Sequence, residues 1–153
     1  MLELFGALHP PFVSFPFVLV TISFLFQLIG VYKNKNSILI ASKSFITAAL
    51  VFAILSYYSG HEASEKVNQT FTVADSLVGQ HYLWAKIFLF TLIPCVLFGW
   101  IAFQAKFNKA IFESIFLVLL LFCLCLVIYT SWLGGSLVFD HGAGVRAPMS
   151  NTR

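Results

Sequence analysis

Four long stretches without any Asp, Glu, Lys or Arg limit what this chain can fold into. They cover residues 11–32, 44–60, 87–105 and 114–139. Each is close to the roughly 20 residues that a helix needs to cross a hydrocarbon layer about 30 Å thick. None alternates between apolar and polar residues as the strands of a membrane barrel do. We therefore predict an all-α fold, an integral membrane antiparallel four-helix bundle that forms a single transmembrane domain over residues 1–153.

The composition excludes two common classes of protein. Of the 153 residues, 59% are hydrophobic and only 10% are charged, which excludes a water-soluble globular domain. The formal net charge of +3 is small and dispersed, so nucleic acid is not an expected partner. The three cysteines, Cys95, Cys123 and Cys125, lie inside apolar runs, which favours neither a disulfide framework nor a cysteine-based zinc site.

Lysines in the short connections predict the orientation of the bundle. The connection between the first two spans carries Lys33, Lys35 and Lys43, and that between the last two carries Lys106 and Lys109. Connections rich in Lys and Arg stay on the cytoplasmic side, so both termini are expected on the outer side. The polar segment 61–81 would then be an outer connection, and its helical spacing of apolar residues predicts a short helix along the surface.

The four histidines of the chain all fall at the outer end of this predicted bundle. His9 precedes the first span, His61 follows the second, His81 precedes the third and His141 follows the fourth. In an antiparallel bundle these four ends are neighbours, so the imidazoles can converge without further assumption. Imidazole nitrogen binds haem iron, copper and zinc, and bundle cores commonly hold such groups.

Glycines beside these histidines favour haem over a bare metal ion. Gly134 and Gly135 lie about two helical turns before His141, and Gly60 adjoins His61. Helix surfaces without side chains would let a flat macrocycle approach the backbone. The alternatives stay open, because histidine also suits a membrane interface and glycine also permits close helix packing.

Two segments at the ends of the chain resemble a known family. Residues 9–16, HPPFVSFP, and residues 134–145, GGSLVFDHGAGV, are similar to the two signature ends of a bacterial four-helix membrane family, domain of unknown function 2231. The resemblance spans nearly the whole chain. It implies a layout similar to cytochromes b with two haems and, through related domains fused to c-type cytochrome modules, a role in electron transfer. The family usually has a second histidine where this chain has Ser14, which implies a different ligand set or fewer cofactors.

Together these observations predict a membrane electron-transfer subunit of the bacterial inner membrane rather than a stand-alone enzyme. It would bind haem b, one group or alternatively two, near the outer face. The expected ligands are His81 and His141 first, with His9 and His61 as the second pair, and Gly134 and Gly135 are expected beside the haem. The expected partners are the lipid bilayer, other subunits of a respiratory complex, the quinone pool and a c-type cytochrome.

Two rival functions remain. A structural subunit of a membrane complex would use the histidines only for hydrogen bonds, and an assembly protein would use the same four for copper or zinc. A transporter is disfavoured, because the spans carry no charged residue at mid-membrane, where substrate sites usually lie. Glu113, at the start of the fourth span, is expected only to complement the helix dipole.

Overall fold

Four long helices make up nearly all of the described chain. A computed structural model describes residue 6, residues 8–70 and residues 75–142, with the side chains at 65–70 and at 75 left out. Within these ranges there is no strand, and the all-α fold class is confirmed. The helices, numbered in chain order, are α1 (His9–Lys33), α2 (Asn36–Thr70), α3 (Asp75–Gln104) and α4 (Lys109–Phe139).

Each helix is long and apolar enough to cross a membrane. The candidate spans contain 25, 29, 29 and 31 residues, so four membrane spans are confirmed. The helices α2 and α3 both extend well into the polar segment 61–81, which was expected to form a separate surface helix. That expectation is wrong, because a helix that has begun continues at little cost per residue while its hydrogen-bond ladder stays intact. Of the periodic apolar residues, Ala63, Val67 and Val78 belong to the extended ends of α2 and α3, whereas Phe71 and Ala74 lie outside the described residues.

The helices are arranged as a closed square. Each packs against the next along the chain, and α4 also packs against α1. The diagonal pairs, α1 with α3 and α2 with α4, have no Cα atoms within 8 Å of each other in the described part of the chain. The most extensive contact is between α1 and α2, where Ser23 and Ser42 each donate a hydroxyl to the other's carbonyl, at 2.8 and 2.9 Å.

The interior of the square is filled by medium and large apolar side chains. Val20, Ile46, Leu92 and Leu120 are all fully buried, one from each helix. The outward surface is also apolar, and residues such as Leu97 are more than half exposed. Because lipid solvates apolar side chains as well as the protein interior does, this outward surface is consistent with a bundle surrounded by lipid.

The two ends of the bundle differ in chemistry, and we name them accordingly. At the histidine end α1 and α3 begin and α2 and α4 end, whereas the lysine end holds the two connections with Lys33, Lys35 and Lys106. Both connections use an asparagine in the left-handed conformation, Asn34 with φ 50° and Asn108 with φ 54°. Asparagine tolerates this conformation better than most residues, which permits such short turns between antiparallel helices.

Two charged residues lie where the sequence did not place them. Lys43 was assigned to the connection between the first two spans, but it lies inside α2 and is fully buried. Glu113 was assigned only a helix-dipole role, but it is buried as well and forms an ion pair with Lys43. The two opposite charges partner each other inside the bundle near its lysine end, away from the mid-membrane positions at which no charge was expected.

Candidate functional site

His9 is the first of two imidazoles held on the inner side of the bundle. Its ring is partly buried, and Nδ1 lies 3.0 Å from the backbone oxygen of Ser56 and 3.2 Å from the hydroxyl of Ser59. The ring rests on Gly60 so closely that a Cβ atom there would lie 2.8 Å from its Cε1 atom. The absence of a side chain at Gly60 therefore makes room for this imidazole.

His81 has the same surroundings on the other helix pair. Its ring is partly buried, and Nδ1 lies 3.2 Å from the backbone oxygen of Thr130. A Cβ atom at Gly134 would lie 3.0 Å from its Cε1 atom. Gly134, expected beside a macrocycle, thus lies against an imidazole, whereas a Cβ atom at the neighbouring Gly135 would meet nothing within 4 Å.

The two arrangements repeat one pattern. In each, a histidine near the start of one helix packs on a glycine of the next helix and bonds the carbonyl four residues before that glycine. The helices α1 and α2 supply one copy, and α3 and α4 supply the other. The two histidines are on diagonally opposite helices, α1 and α3, at the same end of the bundle.

The hydrogen bonds select one tautomer for both rings. A carbonyl oxygen can only accept, so Nδ1 of His9 and of His81 must carry the proton. In a neutral imidazole this leaves the Nε2 lone pair free to bind a metal. Histidines that bind metals or haem iron commonly have their other nitrogen fixed in this way, which orients the ring and raises its basicity.

The other two histidines are on the surface. His61 is exposed, with its ring centre 6.4 Å from that of Tyr82. His141 follows the end of α4, is exposed, and has Nδ1 3.1 Å from the backbone oxygen of Ser136. Within residues 8–64 and 76–142, no three His, Cys, Asp or Glu side chains are grouped to hold a metal ion. The structure therefore brings His9 and His81 inward and does not draw all four imidazoles into one cluster.

Ser14 is the position at which this chain departs from the family motif. Its side chain is exposed on the outside of α1, whereas His9 on the same helix turns toward α2. A side chain at this position does not share the surroundings of His9. The inward pair is therefore formed without any contribution from position 14.

Two pairs of aromatic residues lie at the histidine end of the bundle. Tyr82 follows His81, and its hydroxyl is hydrogen-bonded to that of Tyr57 on α2. On the other side of α3, Trp84 packs edge-on against Tyr129, with ring centres 4.8 Å apart. These side chains place polar hydroxyl groups and polarisable rings beside the imidazoles, as is common at a membrane interface.

The residues that hold the imidazoles were not predicted from the sequence. Ser56, Ser59 and Thr130 were not identified, and Gly60 was noted only for its position beside His61. A signal was present, because Ser56 precedes Gly60 by four residues as Thr130 precedes Gly134. A hydroxyl residue four positions before a glycine occurs often by chance, so the pattern acquires meaning only with the two histidines opposite it.

These features define an all-helical membrane protein with four spanning helices and an inward pair of histidines at one end. Residues 6–147 match the family described as "Predicted membrane protein (DUF2231)", and the chain belongs to that family. The resemblance drawn from segments 9–16 and 134–145 is thereby confirmed. No curated protein and no solved structure matches the chain. The likeness of its layout to two-haem cytochromes b stays a prediction.

Proposed function

We propose that this protein is an electron-transfer subunit that binds one haem b between His9 and His81. The observation that carries the proposal is the repeated arrangement of the two rings, each with Nδ1 bonded to a backbone carbonyl and with no hydrogen bond from Nε2 to the described residues. Two imidazoles from opposite sides are a common axial ligand set for haem iron in electron-transfer proteins. The ligand pair thus differs from the pairing of His81 with His141 expected from the sequence.

The donor set fits a haem in two respects. Both ligands are imidazoles, which bind haem iron, and both lie in a partly buried setting on the inner side of the bundle. The bound haem would supply one-electron redox chemistry. The chain's own residues fix the two rings: Ser56 and Thr130 accept from Nδ1, and the adjacent glycines leave room for each imidazole.

The position of the pair has a consequence for electron transfer. Both histidines lie at the histidine end, and no other histidine is present in the chain to bind haem near the lysine end. Electrons entering here would be exchanged with the quinone pool and with a carrier on the same side, such as a c-type cytochrome. Transfer across the whole membrane requires another subunit of a respiratory complex, in the bacterial inner membrane as the family resemblance implies.

The test is an absorption spectrum of the detergent-purified protein, oxidised and then reduced with dithionite, followed by a pyridine haemochrome assay. We expect a sharp reduced α band and one haem b per chain. His9→Ala and His81→Ala should each lose most of the haem. His61→Ala, His141→Ala and Ser14→Ala are matched controls and should retain it, because these three side chains are exposed.

Three results would contradict the proposal in different ways. Haem loss from His141→Ala with retention in His9→Ala would restore the pairing expected from the sequence. Copper or zinc in the purified protein, removed by chelator and without a haem band, would assign the same two imidazoles to metal handling. A protein with neither haem nor metal, purified together with its native partners, would be a structural subunit.

A further inference from the structure

The buried ion pair at the lysine end is part of a three-residue cluster with no place in the proposed function. Lys43 of α2, Glu113 of α4 and Gln27 of α1 are at most 3% exposed. Lys43 donates to Oε2 of Glu113, and to Oε1 of Gln27 at 3.0 Å. Gln27 donates to the same Glu113 oxygen at 2.7 Å. An ionisable cluster inside a membrane bundle is costly and commonly marks a functional site.

One atom of this cluster lacks a partner. Oε1 of Glu113 is inaccessible to solvent and accepts no hydrogen bond from the described residues, although Oε2 accepts two. A buried carboxylate oxygen without a donor costs about 1–3 kcal/mol or more, because its hydration has been lost without replacement. Proton binding to this oxygen would remove the charge that needs a donor.

Lys43 is held by groups that stay in place when Glu113 is neutral. Its ammonium group donates to the amide oxygen of Gln27 and lies 4.8 Å from the centre of the Phe116 ring, a distance suited to a cation–π interaction. When Oε1 of Glu113 carries a proton, Oε2 is a carbonyl oxygen and can still accept a hydrogen bond from the Lys43 ammonium group. The cluster can therefore exist with a net charge of zero or of +1 without leaving the ammonium unpartnered.

The cluster is also close to the aqueous boundary at the lysine end. The Phe103 ring of α3 lies 5.8 Å from the Lys43 ammonium and 4.7 Å from that of Lys109. Lys109, near the start of α4, donates to the exposed Asn36 at 3.0 Å. The side chain of Phe103 thus lies between the buried cluster and a polar pair at the bundle surface.

From these contacts we propose that Oε1 of Glu113 is a proton-binding site that exchanges one proton with the aqueous phase at the lysine end. The proton comes from water and forms an O–H bond, so the carboxylate becomes a carboxylic acid and no electron is transferred. Lys43 of α2 is the cation paired with Glu113, and Lys109 of α4 is the cation on the Phe103 ring. The other two helices contribute the neutral Gln27 and Phe103. This proposal is independent of haem binding.

The test is an infrared titration of the detergent-purified protein from about pH 8 to about pH 4, a range that covers ordinary and raised carboxyl groups. The carbonyl stretch of a protonated carboxyl group is distinct from the bands of a carboxylate and shifts in D2O. We expect a band that grows on acidification, corresponds to one proton per chain and is lost in Glu113→Gln. Glu62→Gln is the matched control at the histidine end and should keep this band.

Two further variants keep the test decisive. If Glu113→Gln does not fold, the double variant K43M/E113Q, which removes both charges, should lack the same band. Phe103→Ala should speed the deuterium exchange of this band severalfold without changing its amplitude. Absence of a Glu113-dependent band at every pH would overturn the proposal. So would a band of constant amplitude throughout the titration, since no proton would then be exchanged.

Discussion

Replacing Gly60 with alanine tests the packing that orients His9. A Cβ atom at this position would lie 2.8 Å from Cε1 of the imidazole, 3.2 Å from Nδ1 and 3.4 Å from Nε2. Carbon atoms attract best at about 3.5–4.0 Å, so the ring must move by roughly 0.7–1.2 Å. Such a movement would stretch the 3.0 Å contact with the Ser56 carbonyl beyond a useful hydrogen bond.

Two opposing effects determine how Gly60→Ala changes the free energy of unfolding. Alanine in place of glycine inside a helix gains about 1 kcal/mol. Loss of the imidazole hydrogen bond costs about 0.5–1.5 kcal/mol, and the remaining overlap adds some strain. Gly135→Ala is the matched control, because it gains the same helix propensity while its Cβ atom meets nothing within 4 Å. We expect Gly60→Ala to be less stable than Gly135→Ala by about 1–2 kcal/mol.

The free energy of unfolding can be measured by titrating the detergent-purified protein from a mild detergent into dodecyl sulfate and following helix content. Both variants and the wild type should be measured under identical conditions, because detergent composition changes the stability of all three. Equal stabilisation of the two variants would refute the reasoning, since the His9 ring could then not be resting on Gly60. In the haem-binding form, Gly60→Ala should also lower haem content while Gly135→Ala should not.

Three other perturbations follow from the described packing. Gly99→Ala would place a Cβ atom 2.6 Å from the buried Phe116 ring and should destabilise the bundle by about 1–3 kcal/mol in the same titration; a neutral effect would contradict this close approach. Lys43→Met should cost about 3–5 kcal/mol by leaving Glu113 unpaired, whereas K43M/E113Q should recover most of it. Among the three cysteines only the exposed Cys125 should react with a membrane-permeant maleimide before unfolding, as mass spectrometry would show.

The sequence was sufficient for the spans and for the end at which the histidines lie. In lipid, the backbone N–H and C=O groups of a charge-free run of about 20 residues find their hydrogen-bond partners within a helix. An antiparallel order of the helices then determines which helix ends are neighbours. The direction in which each imidazole points was not predictable. The outward faces of the helices are apolar, and α1 turns its polar Ser23 and Gln27 inward, so the usual contrast between an apolar inner face and a polar outer face does not indicate how each helix is rotated. Gly60 and Gly134 affect the direction of the imidazoles, because each glycine leaves room for one imidazole ring.

The buried cluster shows a different limit of sequence reasoning. Because Lys43 is charged, the charge-free stretch that defines the second span starts only at residue 44. Lys43 was therefore assigned to the connection before that span. Its partner Glu113 lies 70 residues further along the chain, and Gln27 lies 16 residues before it. Only the packing of α1, α2 and α4 brings the three together, and no local pattern in the sequence records that packing.

The separation of the ion pair along the chain also sets an order for membrane insertion. If the spans enter the bilayer in chain order, Lys43 enters with α2 before α4 brings Glu113 to it. An unpaired lysine at a helix centre opposes insertion by about 2.5–3.5 kcal/mol, and Lys43, which lies near the start of α2, opposes it by less. The amide oxygen of Gln27, in the preceding helix, is the one cluster acceptor available at that stage. The first hairpin therefore carries an incompletely neutralised charge into the membrane, and entry of the fourth helix completes the electrostatic assembly of the bundle.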